Sequence, residues 1–375
     1  MAFLDRLFRK KQELNSDTPI NERRALELIG EGNLLEDGGE PKKALALYDA
    51  AVGLAPGLAR GHLNRGNALA AIENFKSAVE AFSKALEIDP HYAGAHFNLG
   101  NAYMRLGMLE LAREAYTHAL KVLPDYTDAE VALGAVLEDL RQFESACAHY
   151  RRALELQPNY VQVHCNLGNS LKKLNRFDEA LISYRRAIEL DPNYVDAHNN
   201  IATVLQDLGR LEESKSSYLR ALELRPDSID TQGNLLFVMN YGGPDPHCSA
   251  LLHARRYGEL VARKARPYTR WNVSAQPERC LRVGFVSGDF REHPVGFFLE
   301  NALGALVSRS DGQLQCVAYS NHAFEDATTQ RLRSNFQLWR SCVGLSDASL
   351  AKQMYDGGVD ILIELSGHTS GDRLP

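Results

Sequence analysis

Apolar and polar residues in the first 240 positions alternate with a helical period, and the pattern renews itself every 34 residues. Six prolines mark the renewal: Pro56, Pro90, Pro124, Pro158, Pro192 and Pro226. If each unit is numbered so that its proline is position 32, other positions march in step. Position 8 reads Gly32, Gly66, Gly100, Gly134, Gly168 and Ala202, and position 20 reads Ala44, Ala78, Ala112, Ala146, Ala180 and Ser214. Position 24 reads Tyr48, Phe82, Tyr116, Tyr150, Tyr184 and Tyr218, and position 27 is alanine throughout, from Ala51 to Ala221. The pattern predicts two short amphipathic helices per unit. Small residues at 8, 20 and 27 let the helix axes approach, and the aromatic at 24 fills the space beside them. Proline has no N–H to donate and pushes its predecessor out of the α region, so it ends the second helix.

At each of these landmarks residues 25–228 resemble the tetratricopeptide repeat. The resemblance implies an all-α solenoid with a concave groove, and residues 229–240 (IDTQGNLLFVMN) read as a helix capping its last apolar face. Asparagine recurs at two positions expected to line that groove. Position 6 carries Asn64, Asn98, Asn166, Asn200 and, in the capping helix, Asn234; position 9 carries Asn67, Asn101 and Asn169, with Asn33 before them. Asparagine is a mediocre helix former, so its recurrence at fixed phase needs a reason. A primary amide both donates and accepts, which suits the backbone of an extended peptide whatever its side chains. The alternative is that some of these amides bridge adjacent repeats. A groove for carboxylate-ended peptides would need cations, and position 5 carries none: it reads Ile29, Leu63, Phe97, Val131, Cys165 and Asn199.

The helical pattern breaks at YGGPDPHCS (241–249), resumes as a basic helix over 250–266, and gives way to an irregular linker through 279. The period then changes. LRVGFVSGDF (281–290), QLQCVAYS (313–320) and VDILIEL (359–365) read as strands, with helices expected over 295–308, 324–334 and 346–356. Strands alternating with helices imply a parallel sheet of Rossmann type, whose ligands bind beyond the carboxyl ends of the strands. DFREHP and SGHTSG, each with a histidine, fall at such ends. Neither GxGxxG nor GxxxxGK[ST] occurs, so dinucleotide-binding and P-loop readings lose their main support. The expected order is an extension (1–24), six repeats with a cap (25–240), a linker (241–279) and a partial α/β lobe (280–375).

Composition narrows the partners. The net charge is −6 and the pI about 6.1, against the pI above roughly 9 of a nucleic-acid-binding domain. No apolar stretch approaches the roughly 18 residues of a membrane span, and the N-terminus lacks the core of a signal peptide. Six cysteines without CxxC spacing suggest reduced thiols in a cytoplasmic setting and no zinc site.

LRVGFVSGDFREHPVGFFLE, followed by VDILIELSGHTSG, resembles the start of the catalytic region of bacterial-type protein O-GlcNAc transferases. Those enzymes carry tetratricopeptide repeats with an asparagine-lined groove directly upstream. The resemblance implies a two-lobed glycosyltransferase B fold, incomplete here, and metal-free inverting transfer of N-acetylglucosamine from UDP-GlcNAc to Ser or Thr. No cofactor is expected beyond that donor substrate, and acceptor proteins or extended peptides are the expected partners. His293 matches the family's cleft histidine, a base or a substrate positioner; an imidazole suits proton abstraction near neutral pH. Asp289 is expected either to orient His293 or to cap the following helix. Ser366, Gly367, His368 and Gly371 match the family's second cleft loop. Leu338 stands where bacterial relatives usually have a histidine, and a leucine neither donates, accepts nor titrates. Because the second lobe of the family holds the nucleotide, the 375-residue chain is expected to be inactive alone. The alternative is a non-catalytic scaffold that binds extended peptides beside a vestigial glycosyltransferase segment.

Overall fold

The computed structural model describes residues 19–241, 249–265, 268–270 and 279–365. The chain divides into two compact units, residues 1–226 and 227–375. The first unit is the repeat array. Its helices are α1 (Ile20–Asp37), α2 (Pro41–Leu54), α3 (Ala59–Ala71), α4 (Phe75–Ile88), α5 (Ala93–Arg105) and α6 (Leu109–Val122). They continue as α7 (Thr127–Asp139), α8 (Phe143–Leu156), α9 (Val161–Lys173), α10 (Phe177–Leu190), α11 (Val195–Asp207) and α12 (Leu211–Leu224).

The core of the first five repeats follows from the glycine at position 8. The aromatic ring at position 24 lies flat on the backbone there. A Cβ on Gly66 would sit 2.4 Å from Phe82, and one on Gly134 would sit 2.6 Å from Tyr150. Tyr48, Tyr116, Tyr150, Tyr184 and Tyr218 are wholly buried, with the position-20 and position-27 alanines around them. The turn between the two helices needs one residue at positive φ at position 15. Gly39, Gly107 and Gly209 supply it without strain, whereas Glu73 (φ 62°) and Arg141 (φ 59°) adopt the same left-handed conformation against their preference.

The second unit begins with α13 (Ile229–Tyr241) and α14 (Ser249–Lys264). The helix expected to cap the repeats is thus on this side of the division, which falls after Pro226 rather than at 240. It packs on α14, where Gln232 Nε2 lies 2.8 Å from His253 Nδ1. Next come β1 (Leu281–Ser287), α15 (Pro294–Arg309), β2 (Leu314–Ser320), α16 (Ala327–Arg333), β3 (Leu338–Ser341), α17 (Asp347–Asp356) and β4 (Ile361–Glu364). All four strands are parallel, in the order β3-β2-β1-β4. Three strands were expected from the sequence; β3 is the addition. Its four residues, LWRS, contain no β-branched side chain and half-face solvent, so they carry neither a buried-strand run nor an alternation. Its register is set by β2, with Val317 opposite Leu338 and Ser320 opposite Ser341. Phe285, Phe290, Leu299, Leu303, Cys316, Leu332 and Phe336 form the core on one face of the sheet. No helix among the described residues is long and apolar enough to cross a membrane.

Candidate functional site

The asparagines of the repeats form a ladder. Asn64 Nδ2 donates to Asn33 Oδ1 at 2.8 Å, Asn98 Nδ2 to Asn67 Oδ1 at 2.8 Å, and Asn200 Nδ2 to Asn169 Oδ1 at 2.9 Å. The position-9 oxygen also accepts from the tyrosine of its own repeat: Tyr116 donates to Asn101 at 2.7 Å and Tyr184 to Asn169 at 2.8 Å. The bridging alternative therefore describes part of what these amides do. One half of each amide is used in this way. Among the described residues no partner is recorded for Asn67 Nδ2, Asn101 Nδ2 and Asn169 Nδ2, nor for Asn64 Oδ1, Asn98 Oδ1 and Asn200 Oδ1. The ladder thus fixes the side chains and leaves a donor at position 9 and an acceptor at position 6, the pair of functions one peptide unit presents. Asn166 departs from the ladder, because position 9 of the preceding repeat is Ala135; its Oδ1 accepts from Gln162 Nε2 at 3.1 Å. Asn234 lies on α13 in the second unit.

The second cluster sits at the carboxyl ends of β1 and β2. The chain leaves β1 toward β2 and β3, then returns to place β4 on the other side of β1, so the β1/β4 boundary is where the strand order reverses. Ligands of open parallel sheets bind at such a switch point. The DFREHP segment follows β1 there. Asp289 is 2% exposed, and its N–H donates to Ser287 Oγ at 2.9 Å. Arg291 reaches Asp289 Oδ1 at 3.4 Å and His322 Nε2, beyond β2, at 3.3 Å. Two bonds from the start of α16 hold this segment in place. Thr329 Oγ1 donates to the Phe290 carbonyl at 2.7 Å, and Asp326 accepts from the Glu292 N–H at 2.6 Å while capping α16. The Glu292 N–H bond, with that from the Thr329 N–H, holds the Asp326 carboxyl down at about 2. Gly296 permits the close approach of α15, since a Cβ there would lie 2.2 Å from the Arg291 carbonyl oxygen.

His293, not Asp289, is the N-cap of α15: its Nδ1 accepts from the Val295 N–H at 3.3 Å, and Pro294 starts the helix. An Nδ1 that accepts cannot carry the proton of a neutral imidazole, so Nε2 bears it and acts as a donor. Proton abstraction at Nε2 would require Nδ1 to give up the cap and hold a proton instead. Asp289 Oδ2, 3.8 Å away, would then face that proton. The arrangement therefore favours His293 as a hydrogen-bond donor through Nε2, while Asp289 Oδ2, at 3.8 Å from an Nδ1 that itself accepts, is placed to meet that nitrogen only when it is protonated. Leu338 is 39% exposed at the start of β3. Ser366, Gly367, His368 and Gly371 lie outside the described residues. Arg291, His322, Asp326 and Thr329 were not singled out from sequence; His322 and Asp326 lie after a strand end, the one signal that pointed to them.

Family models described as TPR repeat match residues 66–107, 139–175 and 168–209, and others described as Tetratricopeptide repeat match 93–126 and 195–228. A curated protein of Solanum lycopersicum, named a probable UDP-N-acetylglucosamine–peptide N-acetylglucosaminyltransferase SPINDLY, is 31% identical over 143 residues, covering 37% of this chain and 15% of that protein. A solved Thermobaculum terrenum O-GlcNAc transferase variant superposes with a TM-score of 0.51 at 29% identity, over 66% of this chain and 47% of that one. The chain is a tetratricopeptide-repeat protein related to the O-GlcNAc transferases. An Arabidopsis thaliana relative with the same enzyme name, SEC, is 32% identical over 95 residues, covering 25% of this chain and 9% of that protein. The chain spans less than half the length of each of these relatives.

Proposed function

We propose that the chain is part of a protein O-GlcNAc transferase: the repeat groove holds an extended acceptor, and the β1 switch point belongs to the cleft where the sugar moves. The observation that carries this reading is the sequence of two sites in one chain, an amide ladder with a spare donor and acceptor at successive repeats and a donor histidine at the carboxyl end of β1. In an inverting transfer the acceptor hydroxyl oxygen bonds to the sugar C1 as the C1–O bond to the diphosphate breaks, and the hydroxyl proton leaves with a base. His293 Nε2–H supports a ligand oxygen in that cleft, and Asp289 with Arg291 holds the turn that aims it. The second reading is a scaffold that binds extended peptides and transfers nothing. The spare groups of the ladder favour it equally, since peptide capture needs no sugar.

Radiolabelled GlcNAc transfer by the whole gene product separates the two. Transfer that falls about 10²–10³-fold in His293→Ala, the usual cost of removing one preorganised donor, supports the enzyme. Undiminished transfer in that variant removes His293 from the cleft. A wild-type product that binds peptide and moves no sugar leaves the scaffold.

A further inference from the structure

Repeat 4 breaks the ladder. Four other repeats carry a histidine at position 4 whose Nε2 bonds the carbonyl of the preceding proline: His62 to Pro56, His96 to Pro90, His164 to Pro158 and His198 to Pro192, at 2.9–3.0 Å. Repeat 4 has Glu130 there, buried and paired with His149 Nδ1 at 2.6 Å. Its ladder positions are Ala132 and Ala135, both partly solvent-accessible. One turn further along the same face of α7 stands Glu138. Its two oxygens accept from Tyr150 (2.8 Å) and from Ser170 of the next repeat (2.6 Å).

A carboxylate is not required to satisfy the buried tyrosine, although Glu36 does so for Tyr48 in repeat 1 at 2.9 Å. Gln206, at the equivalent position of repeat 6, accepts from Tyr218 at 3.2 Å and carries no charge. Ser170, fully buried where four other repeats have alanine or valine and the first has an exposed leucine, supplies a second donor that fixes the carboxylate. No cation among the described residues forms an ion pair with Glu138. Helix α7, TDAEVALGAVLED, holds four acidic residues and no basic one, whereas α9, VQVHCNLGNSLKK, holds two lysines and no acid.

We propose that repeat 4 is a selectivity pocket in the groove for one lysine or arginine side chain of the bound peptide, its aliphatic stem across Ala132 and Ala135 and its cation on Glu138. The inference rests on the reading of the groove as a peptide site and adds which side chain it selects. A stem of three or four methylenes covers the two methyl groups that replace the amides, and the head reaches a carboxylate already held in place. The other repeats grip backbone and are indifferent to side chains; this one trades two backbone contacts for a charge-matched side-chain contact.

The test is a fluorescence-anisotropy titration of the full chain with 15-residue peptides of alanine, serine and glutamine. One central position is lysine in one peptide and norleucine in the other. The expected result is about fivefold tighter binding of the lysine peptide, the scale of a partly exposed ion pair, shrinking as salt rises. Glu138→Gln, which keeps one acceptor oxygen and replaces the other with an NH2 that a hydroxyl oxygen can accept from after rotating, should bring the ratio of the two affinities to about one. Ala135→Asn, which rebuilds the ladder and fills the pocket, should do the same, with circular dichroism confirming that each variant is folded. If the norleucine peptide binds as tightly as the lysine peptide, the pocket is wrong and the groove reading stands. If neither peptide binds, the groove reading fails and the pocket with it. If the wild-type preference survives in both variants, the cation sits elsewhere and the proposal is overturned.

Discussion

The repeat unit and the sheet unit solve the same problem, close approach of two backbones, with the same residue and different partners. In the repeats, glycine at position 8 makes room for an aromatic ring, and five consecutive repeats do so with nearly the same clearance. In the sheet unit Gly296 makes room for a carbonyl oxygen, once, where the segment after β1 folds over the start of α15. A ring can tilt and a neighbouring repeat can absorb the change; a carbonyl fixed by the strand before it has nowhere to go. Repetition also turns every exception into information. A single alanine in the sheet unit says nothing, whereas Ala132 and Ala135 stand out because the flanking repeats carry asparagine there.

The largest expected effect tests the ring. Tyr150→Ala removes a wholly buried side chain and leaves a cavity, and should cost about 3–5 kcal/mol in urea unfolding followed by far-ultraviolet dichroism. A loss under about 1 kcal/mol would mean that the array closes over the gap, and that its repeats are softer than the shared clearance implies. Gly296→Ala sharpens the other half of the comparison. With a methyl group 2.2 Å from the Arg291 oxygen, overpacking should cost about 1–3 kcal/mol and raise hydrogen exchange over residues 287–297. The same substitution at Gly134 should leave exchange in the sheet unit unchanged. Next in size is a gain. Arg141→Gly relieves a left-handed residue at φ 59° and should raise stability by about 0.5–1 kcal/mol in the same urea titration. No gain would mean that the turn tolerates its side chain at no cost.

The two regions also differed in how far their sequence could be read. Recurrence at 34 residues placed every repeat helix, because a position misjudged in one repeat is corrected by the others. It did not reveal the left-handed turn position, where glycine occurs in three of six repeats and Glu73, Arg141 and Asn175 hide the rule. It also offered the peptide and bridging roles of the asparagines as alternatives, whereas one amide has two ends and serves a neighbour with one of them. In the sheet unit hydrophobic runs found β1, β2 and β4. They missed β3, whose edge position demands little apolar character. The helix expected over 324–334 begins at Ala327 because Asp326 and Thr329 form a capping box, a D-x-x-T pairing easily overlooked beside the commoner form with glutamate. His293 was found by its motif, but its role as N-cap, and so its tautomer, depends on a backbone N–H that only the folded turn presents.

Acid gives the smallest and most discriminating test, because different groups in the two units respond over different ranges. In the repeat unit burial holds the imidazole of His96 below its ordinary value of 6.5, against the bond its Nε2–H donates to the Pro90 carbonyl, and His118 stacks on it at 5.3 Å. A base whose folded pKa is depressed stabilises the fold while it is neutral, so this contribution is full above pH 6.5 and is lost as pH falls below it. In the sheet unit the N–H groups of Glu292 and Thr329 hold Asp326 at about 2, below its ordinary 3.8. That contribution is full above the unfolded value and is lost only as pH falls from about 4 toward about 2. Hydrogen exchange measured down the pH scale should therefore show the α5–α6 repeat loosening first and the segment after β1 holding until the carboxyl protonates. His96→Gln should flatten the upper step, and Asp326→Asn, which keeps an acceptor oxygen for one of the two N–H groups and does not titrate, should flatten the lower one. A segment after β1 that loosens between pH 4 and 2 just as much in Asp326→Asn would show that this carboxylate is not what ties the His293 turn to α16.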